Sequence, residues 1–507
     1  MLAPDYLDHA PDRLILLWQQ AEDDILRDVA RRIGRMDTLT PTANWQLWRY
    51  QQTEAVRKDV VKLLARYTGK SEAEIRRLMQ EAAAAALEAE DEIYYHYGKE
   101  PTPFEESAPL QNLLNAGYRQ TAGSFSNLTA TTANTVSGAF EQALDRAWLQ
   151  VSSGTFDYKT AVKRAVDGLA DSMPYVTYPS GHRDTLEVAC RRAVLTGVNQ
   201  TGAKLQEARM DEMGASFVEV TAHGGARPSH AVWQGRHYHR GGAVDYLGQH
   251  YEDFESATGY GTGAGLCGWN CRHTFFVVFP ELGSPPAWTQ ESLEALNARN
   301  IEYNGQKYTR YEISQMQRAR ERAVRKWKRR YLAEDAAGAD TTASAVKLRQ
   351  ARQSLADFTR ATGGRVDSAR TSVHGFGRSE GSKASYAARK QERFNAANTE
   401  LQQMREAGTI KAKGRLIESP SAPNEINFAS DHVLQRWAER DMGPMDAERI
   451  IRSSKVAMSQ RNGTQTCYYS ELGFVAIGQD GNVSSIGPLD EGGKKLMEVV
   501  KKHGIPH

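Results

Sequence analysis

Between Thr221 and Phe279 the chain concentrates glycine, histidine, tryptophan and cysteine, and this stretch limits the possible folds more than any other. It reads Thr221-Ala-His-Gly-Gly-Ala-Arg-Pro-Ser-His-Ala-Val-Trp-Gln-Gly-Arg-His-Tyr-His, then Gly259-Tyr-Gly-Thr-Gly-Ala-Gly-Leu-Cys-Gly-Trp-Asn-Cys-Arg-His-Thr-Phe-Phe. Six of the thirteen histidines lie here (His223, His230, His237, His239, His250 and His273), as do Cys267 and Cys271, two of the four cysteines. Glycine at this density allows tight turns and close backbone approach, so a compact irregular knot is expected. Ser216-Phe-Val-Glu-Val-Thr enters it and Thr274-Phe-Phe-Val-Val-Phe leaves it. Both are apolar, β-branched or aromatic runs that read as strands able to pair.

Neutral imidazoles and thiolates are zinc ligands, and four of them close a structural site. His223, His230, Cys267, Cys271 and His273 supply five candidates. The alternative is a packed turn in which the histidines satisfy backbone groups and the thiols are merely buried. Catalysis by Cys271 with a histidine would also need a carboxylate to orient the base, and no spacing points to one. Four cysteines in 507 residues are too few for a disulfide scaffold.

The flanks are helical. Leu14, Leu17, Trp18, Ala21, Ile25, Val29 and Ile33 recur at helical spacing, as do Trp45, Trp48, Val56, Val60 and Leu63. Gly69 is expected to stop this second helix, with Ser71-Glu-Ala-Glu restarting it as a capping box. The Ala82 to Ala86 run predicts close helix contact. A basic helix is predicted over 312–332, with eight Lys or Arg between 318 and 330. Its two readings are a solvated face and a contact with nucleic acid or an acidic partner surface. The net charge of +2 excludes a chain that is basic throughout. The run Leu14-Ile-Leu-Leu-Trp is too short to cross a bilayer, and no signal peptide or membrane contact is expected.

In the knot, the Arg227-x-x-His230 turn followed by Asn270-Cys-Arg, together with Asn304-Gly-Gln-Lys-Tyr-Thr-Arg-Tyr-Glu and Gly375-Phe-Gly-Arg-Ser, resembles the phage minor capsid protein 2 family. The layout is also similar to Mu-F-type head morphogenesis proteins. The resemblance spans roughly residues 1 to 385. It implies a structural protein of a phage or prophage head, found in the virion and in the host cytoplasm during assembly. The implied partners are the portal protein and the major capsid protein. It carries no catalytic residue over.

The C-terminal stretch reads differently. A helix beginning near Ser430 puts His432, Arg436 and Arg440 on one stripe. Three short strands follow, over 464–469, 473–477 and 482–486, with Asp480-Gly481 as a hairpin turn. Lys455, Arg461, Tyr468 and Ser484 are offered by that sheet. A histidine near neutral pKa with flanking arginines suits metal-independent phosphodiester cleavage, with RNA as substrate. The bland reading is a surface histidine, its arginines paired to Glu439 and Glu448. The unit resembles phage-borne barnase–EndoU–colicin–RelE-like nucleases, which implies an RNase-like toxin. Its last strand, Asn482-Val-Ser-Ser-Ile-Gly, has no His, Arg or Tyr, so a non-catalytic domain stays open.

The expected architecture is therefore multidomain α+β: a helical region over 1–180, a core with the α/β knot over 181–382, a helical and proline-containing linker over 383–424, and an α+β domain with a three-stranded antiparallel sheet over 425–507.

Overall fold

A computed structural model describes residues 1–36, 42–172, 176–178, 181–420, 426–428 and 431–506. The chain divides into two compact units, Met1–Ser379 and Glu380–His507.

The first unit is built on long helices: α1 (Asp12–Gly34), α2 (Thr42–His96), α3 (Ala108–Ser152), α4 (Tyr158–Ser172) and α5 (Leu186–Met213). Leu14, Trp18, Ala21, Ile25, Val29 and Ile33 form the buried stripe of α1, at the spacing the sequence predicts. Helix α2 does not stop at Gly69. A mid-helix glycine costs only about 1 kcal/mol, and here tertiary contacts outweigh it. Ser71 is no cap: its hydroxyl donates to the Tyr67 carbonyl one turn back and accepts from the Trp18 indole, both at 2.9 Å. Ala82, Ala83 and Ala86 are buried, as the alanine run predicts. Helices α3 and α5 cross where Gly117 meets Thr201 and Gly197 meets Thr121. A Cβ on either glycine would lie within 2.2 Å of the threonine hydroxyl, so both crossing points demand glycine. This close crossing carries the apolar face of α5 towards the knot.

The knot's two bracketing strands do pair. Strand β1 (Phe217–Val220) lies between β2 (His237–His239) and β3 (Phe275–Val277), all antiparallel, with Val218 opposite both Tyr238 and Val277. The third strand is supplied by the histidine-rich run itself.

The basic segment forms α6 (Arg310–Ala336), opened by a Thr309–Glu312 capping box. Both sequence readings put its charges on the surface. The structure instead engages seven of the eight within the unit. Arg329 reaches buried Glu22 and Asp23 at 2.6 Å each, and Arg330 reaches Asp167 and Asp171. Arg325 pairs with Glu187, Lys326 with Asp171 and Arg318 with Asp8. Lys328 donates to the Thr371 carbonyl, and Arg320 lies over the Phe358 ring. Helix α6 thus acts as an internal charged strut against α1, α4 and α5.

The second unit contains a five-stranded antiparallel sheet, not a three-stranded one. Its order follows the chain: β4 (Arg415–Glu418), β5 (Val456–Gln460), β6 (Gln465–Ser470), β7 (Gly473–Gly478) and β8 (Val483–Gly487). The two extra strands are short, and β5 is composed of Val-Ala-Met-Ser-Gln, weak in the β-branched and aromatic residues that mark a strand. The stretch read as a linker over 383–424 supplies β4 and most of helix α7 (Arg378–Glu406), whose Phe394, Ala397 and Leu401 are core residues. Helices α8 (Asp431–Arg440), α9 (Pro444–Ser453) and α10 (Glu491–Lys502) complete the unit. Side-chain alternation divides its core into two faces. Met458, Cys467, Tyr469 and Ala476 pack with α7 and with Leu496 and Val500 of α10. Ala457, Tyr468, Val475 and Ile477 pack with Ala447, Ile450 and Ile451 of α9. No helix among the described residues is long and apolar enough to cross a membrane.

Candidate metal centre in the central knot

The second half of the knot is a coil that closes on its own backbone. A Cβ on Gly265 would fall 2.0 Å from the Gly259 carbonyl oxygen, so only glycine fits. Leu266 N donates to Thr258 O, Trp269 N to Gly263 O and Cys271 N to Gly268 O. Cys267 and Asn270 adopt positive φ, 57° and 55°. Helix α5 fixes where the coil ends. Buried Asn199 donates to the carbonyls of Cys271 (3.0 Å) and His273 (3.1 Å). Gln206 donates to Phe275 O and to Glu90 of α2, while Glu90 accepts from Val277 N. The segment from Cys271 through β3 is therefore held along its length.

Three of the five predicted ligands converge. The Cys271 Sγ lies 3.6 Å from the Nδ1 of His230 and 3.6 Å from the Nδ1 of His273. All three residues are buried, and their ligand atoms lie within 4.8 Å of one another. The outer nitrogens are committed. His230 Nε2 faces the Ala264 carbonyl at 2.9 Å, an acceptor only, so Nε2 carries the hydrogen. His273 Nε2 faces Gln234 Oε1 at 3.0 Å. The backbone N–H of His223 also donates to Gln234 Oε1, which fixes that atom as an acceptor, and His273 Nε2 likewise holds the hydrogen. Both Nδ1 lone pairs then point at the sulfur.

The other two candidates stand apart. Cys267 is turned away by its left-handed backbone and donates to the His273 carbonyl at 3.6 Å. The His223 ring stacks on that of His273, centroids 4.4 Å apart, with its Nδ1 towards Gly224 O. The remaining knot histidines are held by other partners: His237 by buried Glu219, His239 by Gly242 O and His250 by Asp245.

Burial keeps the cluster's imidazoles neutral. It pushes His223 down to about 4, with Arg272 adding to the effect. It pushes His273 well below its ordinary value, reinforced by His223 and His230, and lowers His230 as well. Burial raises the Cys271 thiol. The cluster opens on a cavity of about 880 Å³ lined also by Arg192, Arg227, Arg272 and Arg318. An amide such as Gln234 can orient a cysteine–histidine dyad, but burial raises the Cys271 thiol, which opposes the thiolate a nucleophile needs.

Among the described side chains, Arg440, Lys455, Arg461, Tyr468 and Ser484 do not form one cluster. The side chains of His432 and Arg436 lie outside the described residues, as does the expected cap Ser430. Arg440 donates to the Ile486 carbonyl at 2.6 Å. Lys455 and Arg461 are exposed and flank β5 at its two ends, about 20 Å apart at ordinary strand rise. Tyr468 is buried on the α9 face. Ser484 accepts from Gln465, which alternates with Cys467 and Tyr469, and donates to Ala476 O, so it belongs to the opposite face.

Compared with known protein families, the chain matches the model of the phage minor capsid protein 2 family over residues 2–360. This chain belongs to that family. It is a structural protein of the phage head, with its place in the virion. No curated protein and no solved structure gave a match. The minor capsid match takes in most of the first unit, including the whole knot, and none of the second. Within this family member, sequence reasoning missed Gln234 and Asn199. Gln234 sits inside the knot motif and drew no attention beside its histidines. Asn199 follows Val198 on the apolar stripe of α5, and a carboxamide there was the available signal, because a buried amide needs partners.

Proposed function

We propose that this minor capsid protein works by contact with other head proteins, the portal protein and the major capsid protein being the partners its family suggests. The observation that carries this reading is the family match across residues 2–360. The helical build of the first unit supports it, since α6 directs its charges inward and stiffens the unit. The same pairing weakens the case for packaged DNA as the partner of that helix. The test is cross-linking mass spectrometry on mature virions and on assembly intermediates. Cross-links from residues 1–379 to portal or major capsid chains are expected. Absence of the protein from both kinds of particle would refute the proposal.

A second reading gives the C-terminal unit a metal-independent ribonuclease activity centred on His432. Arg440, from the same helical stripe, is docked on the last strand, which favours a location beside the sheet. Lys455, Arg461, Tyr468 and Ser484 are too scattered to share that site. Full-length protein incubated with RNA in EDTA should cleave, and His432→Ala should abolish cleavage. Equal products from both proteins, or none from either, would leave a non-catalytic domain.

A further inference from the structure

We propose that His230, Cys271 and His273 bind one zinc ion, with a fourth coordination position facing the arginine-lined cavity. Tetrahedral zinc with Zn–S near 2.3 Å and Zn–N near 2.05 Å requires S···N separations of about 3.6 Å. Both Cys271 Sγ···Nδ1 distances are 3.6 Å. Two of the three ligand separations of a loaded site are therefore already present, and the third is within 4.8 Å.

Proton counting supports the same conclusion. The Cys271 thiol carries one hydrogen, and two bare Nδ1 lone pairs face it. One S–H can satisfy only one of them, so a thiol at this point leaves a buried acceptor without a donor. A dication accepts electron pairs from all three atoms and releases the thiol proton to solvent. The surroundings match a metal site's outer layer. Ligating histidines almost always donate their other ring N–H to a carbonyl, carboxylate or water. Here the Ala264 carbonyl and the Gln234 amide take that role. One thiolate and two imidazoles, borderline-soft donors, select zinc over the hard cations. Cys267 and His223 are excluded from coordination because Cys267 faces the His273 carbonyl and His223 stacks beside the cluster. Three protein ligands with an open position are the pattern of exchangeable sites, not closed structural ones. His230, Cys271 and His273 all line the cavity, so a water or a small anion can complete the shell from that side.

The test uses the full-length chain, loaded with zinc, freed of excess metal and examined by elemental analysis, then loaded with Co²⁺ for absorption spectroscopy. One zinc per chain and a sulfur-to-cobalt charge-transfer band are expected. Cys267→Ser should keep both. Cys271→Ser should lose the band, and Gln234→Ala should weaken zinc affinity by about 10–100-fold. Wild-type protein without stoichiometric metal, or without the thiolate band, overturns the proposal regardless of how the variants fold. So does a band that survives in Cys271→Ser or disappears in Cys267→Ser.

Discussion

The knot and the C-terminal sheet are both built on antiparallel strands, yet they arrange their polar residues in opposite ways. The knot is irregular, and it brings His230, Cys271 and His273 to one point from positions up to 43 residues apart in sequence (273 − 230). The sheet is regular apart from one bulge, at Ser484 opposite Ala476 and Ile477, and it disperses its candidates: Lys455 and Arg461 to opposite ends of one strand, Tyr468 and Ser484 to opposite faces. Strand alternation sends neighbours to different sides. A coil closed by glycine contacts has no such rule and can aim several side chains inward. Among the described residues, convergence follows backbone irregularity.

The harshest way to break the contrast is Gly265→Val. Its Cβ would meet Gly259 backbone at 2.0 Å, and backbone cannot rotate aside. A loss of about 4 kcal/mol or more is expected, seen by calorimetry together with loss of zinc binding. An unchanged melting profile would show that the coil does not need its closure. The sheet should answer with a graded loss. Leu496→Ala removes a fully buried side chain beside the sheet and should cost about 2–5 kcal/mol, measured by denaturant unfolding, without altering metal content.

The two units should also respond differently to pH. Burial raises Glu22, Glu90 and Glu334 of the first unit to about 7. In the second, hydrogen bonds and ion pairs lower half-buried Glu400 and exposed Asp480 and Glu491. A carboxyl raised in the folded state binds its proton more tightly there. Its stability contribution is complete below pH 4.5 and is lost as pH rises through about 7. The lowered carboxyls contribute above the ordinary carboxylate range and lose that contribution in acid. Comparing wild type with Glu22→Gln from pH 4.5 to 8 should therefore change the stability difference by up to about 3 kcal/mol, the wild type losing ground as pH rises. A flat difference would remove Glu22 as a proton-linked group.

Double-mutant cycles give the finest comparison. Gln206 and Glu90 touch at 3.0 Å behind β3, so Gln206→Ala and Glu90→Ala should couple by about 0.5–3 kcal/mol. Tyr468→Phe and Ser484→Ala sit two strands apart on different faces and should add to within about 0.5 kcal/mol. Coupling in the second pair would mean that the sheet residues share a site after all.

The contrast also explains what the sequence disclosed. The stripe of α1, the pairing of β1 with β3 and the location of the knot were readable, because periodicity and glycine clustering are local signals. The run through Gly69 was not. The Trp18 indole that engages Ser71 comes from 53 residues away, and no local pattern records it. The inward turn of α6 was hidden for the same reason, since Glu22, Asp23 and Asp167 lie on other helices. At the candidate site, the choice of three ligands from five depended on the left-handed Cys267 and on Gln234, neither of which ligand spacing can reveal. In the C-terminal unit, β4 and β5 were too short and too poor in β-branched residues to announce themselves.

Among the described residues no further strand lies beyond β8, yet its backbone is not left open. The Arg440 guanidinium takes the Ile486 carbonyl. Asn427 donates to Gly481 O and accepts from Val483 N, forming a one-residue bridge at Asn482. A bare edge strand invites a neighbouring chain to add itself to the sheet. For a protein whose family assembles among other head proteins, these stoppers guard against unplanned polymerisation, so Arg440 has work to do whether or not RNA is ever cut.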